Sequence, residues 1–163
     1  MKIFSFVAAA SNSGKTTLIE KVVCILKERG LRVAVVKHAS KGFELDRPGK
    51  DSWRFREAGA DAVVLAGPGR TALQRSTDRD PSLEELAALA GDVDLVLVEG
   101  FKKDAVNRIE VFRSGVSGPR PLCTEDRSFL ALVSDERFDA GIPWFDLNDA
   151  RGVADFIATL LIR

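Results

Sequence analysis

The chain has 163 residues, 45% of them hydrophobic, enough for one domain with a core of its own over residues 1–163. Its 24 lysines and arginines are offset by 24 aspartates and glutamates, so no overall charge draws it to nucleic acid or to an anionic membrane, and any anion site has to be local. No run approaches the roughly 20 apolar residues of a membrane span, and Cys24 and Cys123 follow neither zinc-ligand nor redox spacing, which fits a reduced cytoplasmic protein with buried thiols.

The opening "KIFSFVA" has the outline of a secretory signal, with Lys2 ahead of an apolar run and small residues. It is short, however, and leads directly into "SNSGKTT", so it reads as a buried strand supporting that turn. From Thr16 to Arg29 apolar residues recur at helical spacing, with an arginine in the last turn and Gly30 as the stop. The next run, "RVAVVKH", completes a βαβ unit. Gly49 to Ala58 reads as a second helix closed by Gly59. "DAVVLAG" reads as a further strand buried on both faces, and Gly67, Pro68 and Gly69 turn it into a hairpin with the segment after it.

Ser82 to Ala90 is a third helix, with Ser82 as the cap and Glu85 completing the capping box. "DLVLVEG" and "FLALVS" are buried strands, whereas "RIEVFRSGVSGPRPL" between them reads as a second hairpin-like break with a mobile loop from Ser114 to Pro121. A last helix begins near Ala150, where Val153, Phe156, Ile157, Leu160 and Leu161 form one apolar stripe. The expected fold class is three-layer α/β with a mostly parallel sheet and an antiparallel pair at one edge.

The stretch "AAASNSGKTTL" sits at the first strand-to-helix junction, where backbone N–H groups freed by a tight turn and the helix dipole together attract phosphate. In such a loop Gly14 permits close backbone approach, Lys15 reaches the outer phosphates and the Thr16 hydroxyl binds Mg²⁺. Ala9 stands where the first glycine of the usual signature is expected, a replacement that is harmless if its φ is negative. Glu99 ends a second strand and offers a carboxylate to the metal side, with Gly100 turning the chain away. Lys37 and His38 end the second strand at the same carboxyl edge. His38 is the sole histidine, which excludes a histidine metal cluster, and it reads equally well as a satisfied strand-end side chain. Asp46 and Asp51 are candidates for holding Mg²⁺ through water or for activating the attacking water, although Asp51 also suits the first turn of a helix.

"AAASNSGKTTL", "VVKHA", "FELDRPGKDSWRFREAGA" and "VDLVLVEGFKK", in this order and spacing, closely resemble the MobB family of molybdopterin-guanine dinucleotide biosynthesis proteins, and the likeness continues to "WFDLND" and the final helix. The resemblance implies a P-loop NTPase fold and a homodimeric GTP-binding protein with weak GTPase activity. It also implies a place beside a MobA-type guanylyltransferase when GMP is joined to molybdopterin, and leaves open whether molybdopterin itself contacts this chain. By matching motif the phosphate site is Ser11, Asn12, Ser13, Gly14, Lys15, Thr16 and Thr17, and Glu99 is the Mg²⁺-side carboxylate; in the mechanism read from the residues Lys15 holds the outer phosphates, Thr16 joins Glu99 on Mg²⁺, and Asp46 or Asp51 orients water. Alanines before the loop are common in the family. Many relatives carry a second histidine shortly after the position of His38, and "HASKGFE" has none, which sets aside any role that needs two.

Guanine has two donors on one edge, N1–H and the 2-amino group, that a carboxylate accepts and that adenine lacks; Asp135, just after "FLALVS", is the candidate. The sequence itself assigns no arginine to the transition-state charge, though Arg70, Arg75 and Arg79 near the hairpin are placed to reach across a dimer. Two rival readings use the same loop. One is a small-molecule kinase or ligase, with Lys37, His38 and Asp46 facing an acceptor. The other is a partition-type ATPase, which usually carries an extra lysine early in the loop, where this chain has Ala10.

Overall fold

Phe4, Phe6, Leu95, Leu97, Ile109, Val111, Ala131 and Val133 are almost completely buried, and each lies on a strand of one six-stranded sheet. These strands are β1 (Lys2–Val7), β2 (Val33–Lys37), β5 (Leu95–Glu99), β6 (Arg108–Phe112), β7 (Phe129–Ser134) and β8 (Trp144–Asp146), hydrogen-bonded in the order β2-β5-β1-β6-β7-β8. Every pairing in it is parallel. Parallel strands need crossovers that cover both faces, hence their unbroken apolar runs. Helices α1 (Lys15–Glu28) and α4 (Ala150–Leu161) lie against one face, where Leu18, Val22, Leu26, Val153 and Ile157 meet the phenylalanines of β1. On the other face α3 (Leu83–Leu89) packs Leu83 and Ala87 on Val96 and Val98, while Cys123 joins Val7, Phe112 and Leu132. The expected α/β class with a mostly parallel sheet is therefore the observed one.

The structure, a computed structural model, describes residues 1–40, 42–102 and 104–162, which form two compact units. The larger unit is Met1–His38 together with the chain from Ser82 onward, and holds the parallel sheet; the smaller is Ala39–Pro81. The smaller contains α2 (Asp51–Glu57) and an antiparallel pair, β3 (Ala62–Gly67) and β4 (Arg70–Arg75). Its turn is Pro68–Gly69, with Gly69 at φ 72°, the positive value that the third position of a type II turn requires.

Local signals in the sequence hold. Ser82 Oγ accepts from the Glu85 amide and Glu85 returns a bond to the Ser82 amide, the expected capping box. Gly30, at φ 80°, ends α1 as expected, and the stripe of α4 faces the core.

Several expectations are corrected. "DAVVLAG" is not a strand buried on both faces: apart from Val63, the residues of β3 are exposed, and the hairpin is a sheet of its own. Its Val and Leu content signals a strand without saying which sheet receives it. "RIEVF" is no hairpin arm but an inner strand between β1 and β7. Its charged residues concealed this. Glu110 is fully buried, and its two oxygens accept from the amides of Leu122, 2.7 Å, and Cys123, 2.8 Å, in the 3-10 turn over Leu122–Thr124. Finally, only Cys123 is a buried thiol; Cys24 lies on the exposed side of α1.

Candidate functional site

The register of the sheet places one level of residues at its carboxyl edge. Glu99 on β5 stands opposite Phe6 of β1 on one side and Lys37 of β2 on the other, just where β1 runs into the loop from Ala8 to Gly14. Ala9 is not among the residues of positive φ, so the methyl in place of the usual glycine hydrogen imposes no backbone strain. Positive φ occurs instead at Asn12, 61°, and Gly14, 94°. Gly14 is the N-cap of α1 and supplies no side-chain cap. Among the described residues, no protein acceptor takes the amide of any residue from Ser11 to Thr17. A row of unpaired donors at the start of a 14-residue helix is an anion cradle.

Two ammonium groups rest on carbonyls of this loop. Lys15 Nζ donates to the Ala10 carbonyl, 3.2 Å, and to Oγ of the buried Ser13, 3.1 Å. Lys102 Nζ donates to the Ala9 carbonyl, 3.0 Å. Partial burial pushes Lys15 below the ordinary lysine range; Glu99 opposes that shift, and the positive charges of Lys102 and Lys37 add to it.

Thr16 Oγ1 donates to Glu99 Oε1 over 2.7 Å, and Lys37 Nζ is 3.4 Å from Glu99 Oε2. Of the groups that act on Lys15, three are charged side chains: Glu99 alone is negative, against Lys37 and Lys102. The cluster thus carries excess positive charge, as a polyphosphate site requires. The hydroxyl of Thr16 and the carboxylate of Glu99 are hard oxygen donors and suit Mg²⁺. Among the described residues no group of three or more His, Cys, Asp or Glu is arranged to hold a metal ion, so most ligands would come from phosphate and water, as Mg²⁺ prefers.

On the other flank of the loop, a Cβ at Gly14 would lie 3.5 Å from an Arg113 guanidinium nitrogen and 3.7 Å from Leu147 Cδ1. Arg113 follows β6 and Leu147 follows β8. Asp135, which follows β7, is exposed, and its Oδ1 accepts from the Ser114 amide, 2.8 Å. His38 is held by its backbone: its amide donates to the Glu99 carbonyl, 2.9 Å, and its ring lies 4.5 Å from that of Phe101.

Ser11, Asn12, Ser13, Gly14, Lys15, Thr16, Thr17, Glu99 and Asp135 all belong to the larger unit, whereas Asp46 and Asp51 belong to the smaller. Within it, Asp46 Oδ1 accepts from the Arg47 amide while its Oδ2 is buried and, among the described residues, has no hydrogen-bond partner. Asp51 is largely exposed at the start of α2, 3.9 Å from Arg54. Sequence reasoning assigned nothing to Lys102, Arg113 or Leu147. The lysine had a weak signal, a cation three positions after a strand-end glutamate; the other two had none.

A family model described as molybdopterin guanine dinucleotide synthesis protein B, MobB, matches residues 3–135. The chain belongs to the MobB family. Its P-loop α/β fold is a nucleotide-binding fold, with the loop on the described edge. The chain is 39% identical over 156 residues to the molybdopterin-guanine dinucleotide biosynthesis adapter protein of Escherichia coli, covering 92% of this chain and 88% of that protein. It is also 39% identical over 153 residues to the adapter protein of the same description from Haemophilus influenzae, covering 93% and 85%. A crystal structure of molybdopterin-guanine biosynthesis protein B superposes with a TM-score of 0.75 at 36% identity, over 97% of this chain and 99% of the other. Bacillus subtilis MobB does so with a TM-score of 0.76 at 26% identity, over 98% and 97%. As in those MobB structures, a mostly parallel sheet is accompanied by a small antiparallel pair. Among the described residues no helix is long and apolar enough to cross a membrane.

Proposed function

We propose that this MobB-family chain is a GTP-binding adapter of molybdopterin guanine dinucleotide synthesis, with slow Mg²⁺-dependent GTPase activity, acting in the cytoplasm. The observation that carries this reading is the row of unpaired amides from Ser11 to Thr17, flanked by Lys15 and by the Thr16–Glu99 pair. The amides and Lys15 hold the β and γ phosphates, and Thr16 and Glu99 organise Mg²⁺, directly or through water. The metal, when bound, neutralises charge that builds on the phosphate oxygens.

Asp46 or Asp51, both in the smaller unit, is the candidate for orienting water by motif alone, and Asp51 also suits the start of α2. Asp135 accepts from the Ser114 amide through one lone pair of Oδ1, which leaves both carboxylate oxygens able to accept from guanine N1–H and the 2-amino group. Hydrolysis is expected to be slow because an arginine supplied by another chain is worth about 10³- to 10⁵-fold in such reactions. The partner inferred for the adapter role is a MobA-type guanylyltransferase, molybdopterin is a candidate ligand to be tested beside it, and pairing as a homodimer is favoured by the exposed Phe55, Val64, Leu65 and Leu73 of the smaller unit.

Calorimetric titration of the purified protein with GTP, GDP and ATP, with and without Mg²⁺, tests the reading. Tighter binding of GTP than ATP, strengthened by Mg²⁺ and lost to ATP discrimination in Asp135→Ala, is expected. Absence of binding to any purine triphosphate would reject it, and stabilisation by ATP alone would favour a kinase.

A further inference from the structure

We propose that Lys102 is a second phosphate-contacting cation, supplied by the same chain, which leaves the Ala9 carbonyl for the terminal phosphate of the bound nucleotide. The inference rests on the nucleotide-binding reading above.

After Glu99 the backbone reverses through two left-handed residues, Gly100 at φ 100° and Phe101 at φ 54°. A bulky aromatic residue in that region is uncommon and persists only where its surroundings hold it. They do so here. The Phe101 ring is buried against Leu83, Ala87, Val96 and Val98 and lies 4.5 Å from the His38 ring. Gly100 fits so closely against His38 that a Cβ there would lie 3.1 Å from His38 Cβ and 3.3 Å from its carbonyl oxygen. This buttressed turn aims Lys102 back at the loop.

At the loop Lys102 and Lys15 rest on the neighbouring carbonyls of Ala9 and Ala10. A neutral carbonyl is a weaker partner for an ammonium than an anionic phosphate oxygen, so both contacts exchange readily for phosphate. Lys102 shares its strand end with Glu99, the metal-side carboxylate, whereas Arg113 and Leu147 approach Gly14 from β6 and β8 on the opposite flank. That placement puts Lys102 on the terminal-phosphate side. In hydrolysis the water oxygen bonds to the terminal phosphorus, the bond from that phosphorus to the bridging oxygen breaks, and the water proton passes to phosphate or solvent. Lys102 remains protonated throughout and contributes charge alone.

The test uses the full chain, with Lys102→Gln, whose amide still donates to the Ala9 carbonyl, and Lys102→Arg, which keeps the charge. Affinities for a non-hydrolysable GTP analogue and for GDP are measured with single-turnover hydrolysis and the melting temperature of the ligand-free protein. Lys102→Gln is expected to weaken the triphosphate analogue about 10- to 100-fold, the worth of one charged hydrogen bond, to change GDP by less than about threefold, to slow hydrolysis and to leave melting unchanged. Lys102→Arg restores most of the loss. Parallel weakening of both nucleotides, a lowered melting temperature with the GTP-to-GDP ratio intact, or no change would overturn the proposal while nucleotide binding stands. Failure of the unmodified protein to bind either nucleotide would instead reject the reading beneath it.

Discussion

Thr16 Oγ1 and Glu99 Oε1 are separated by 83 positions in the chain and 2.7 Å in space. The bond joins the first turn of α1 to the end of β5. It brings the hydroxyl and the carboxylate of the proposed metal side together before any ligand arrives, which lowers the reorganisation that binding requires.

Because each residue orients the other, their effects should be coupled. Thr16→Ala and Glu99→Gln are each expected to reduce the Mg²⁺ dependence of GTP affinity by about 10- to 100-fold, the usual cost of disturbing a metal site, and the double variant should lose much less than the product of the two. Titration with GTP across a Mg²⁺ series measures this. Independent effects, or unchanged turnover in Glu99→Gln, would refute the shared role.

The depressed ionisation of Lys15 predicts a pH dependence of binding. The free protein holds its Lys15 proton less tightly than the ordinary lysine value of 10.5, chiefly through burial, whereas bound phosphate holds that proton in place. Binding therefore takes up a proton once the pH exceeds the lowered value. Nucleotide affinity should be flat below it and fall by up to tenfold per pH unit above it, beginning short of 10.5. Lys37→Gln should delay the fall to higher pH by removing a repelling charge.

The thiols should differ sharply towards a disulfide reagent. Cys24 is exposed, whereas burial and the neighbouring Glu110 push the Cys123 thiol up to about 12. One fast equivalent is expected in the native protein and a second only on unfolding, since the thiolate is the reactive form. Glu110→Ala would orphan the amides of Leu122 and Cys123, costing about 2–4 kcal/mol and releasing the second thiol in the native state. Two fast thiols in the unmodified protein would contradict the buried assignment.

Gly152 offers a sign test. Replacing a helix glycine by alanine ordinarily stabilises by about 1 kcal/mol, but here a Cβ would overlap Asp149 Oδ2 and lie 3.0 Å from Phe145 Cδ1. Asp149 caps α4 by accepting from the Gly152 amide. Loss of the cap at about 1 kcal/mol and overpacking at about 1–3 kcal/mol should outweigh the gain. Chemical denaturation of Gly152→Ala is expected to show a net loss, and a stabilised variant would be evidence against this packing.

The sequence alone determined what depends on neighbouring residues. The phosphate loop, with its glycine, lysine and threonine, was legible because a strand, a turn and a helix start follow one another along the chain. The capping box of Ser82 and Glu85 and the apolar stripe of α4 were legible for the same reason. Tertiary structure decided which strands meet. Only the insertion of β5 between β1 and β2 sets Glu99 against Thr16 and Lys37, and only the reversal at Gly100 and Phe101 returns Lys102 to Ala9. The burial of Glu110 inside the sheet, and the separation of β3 and β4 into a sheet of their own, were equally out of reach. Backbone propensity and capping act over a few residues, whereas pairing and the satisfaction of a buried carboxylate are settled by groups far away in the chain, which no local pattern records.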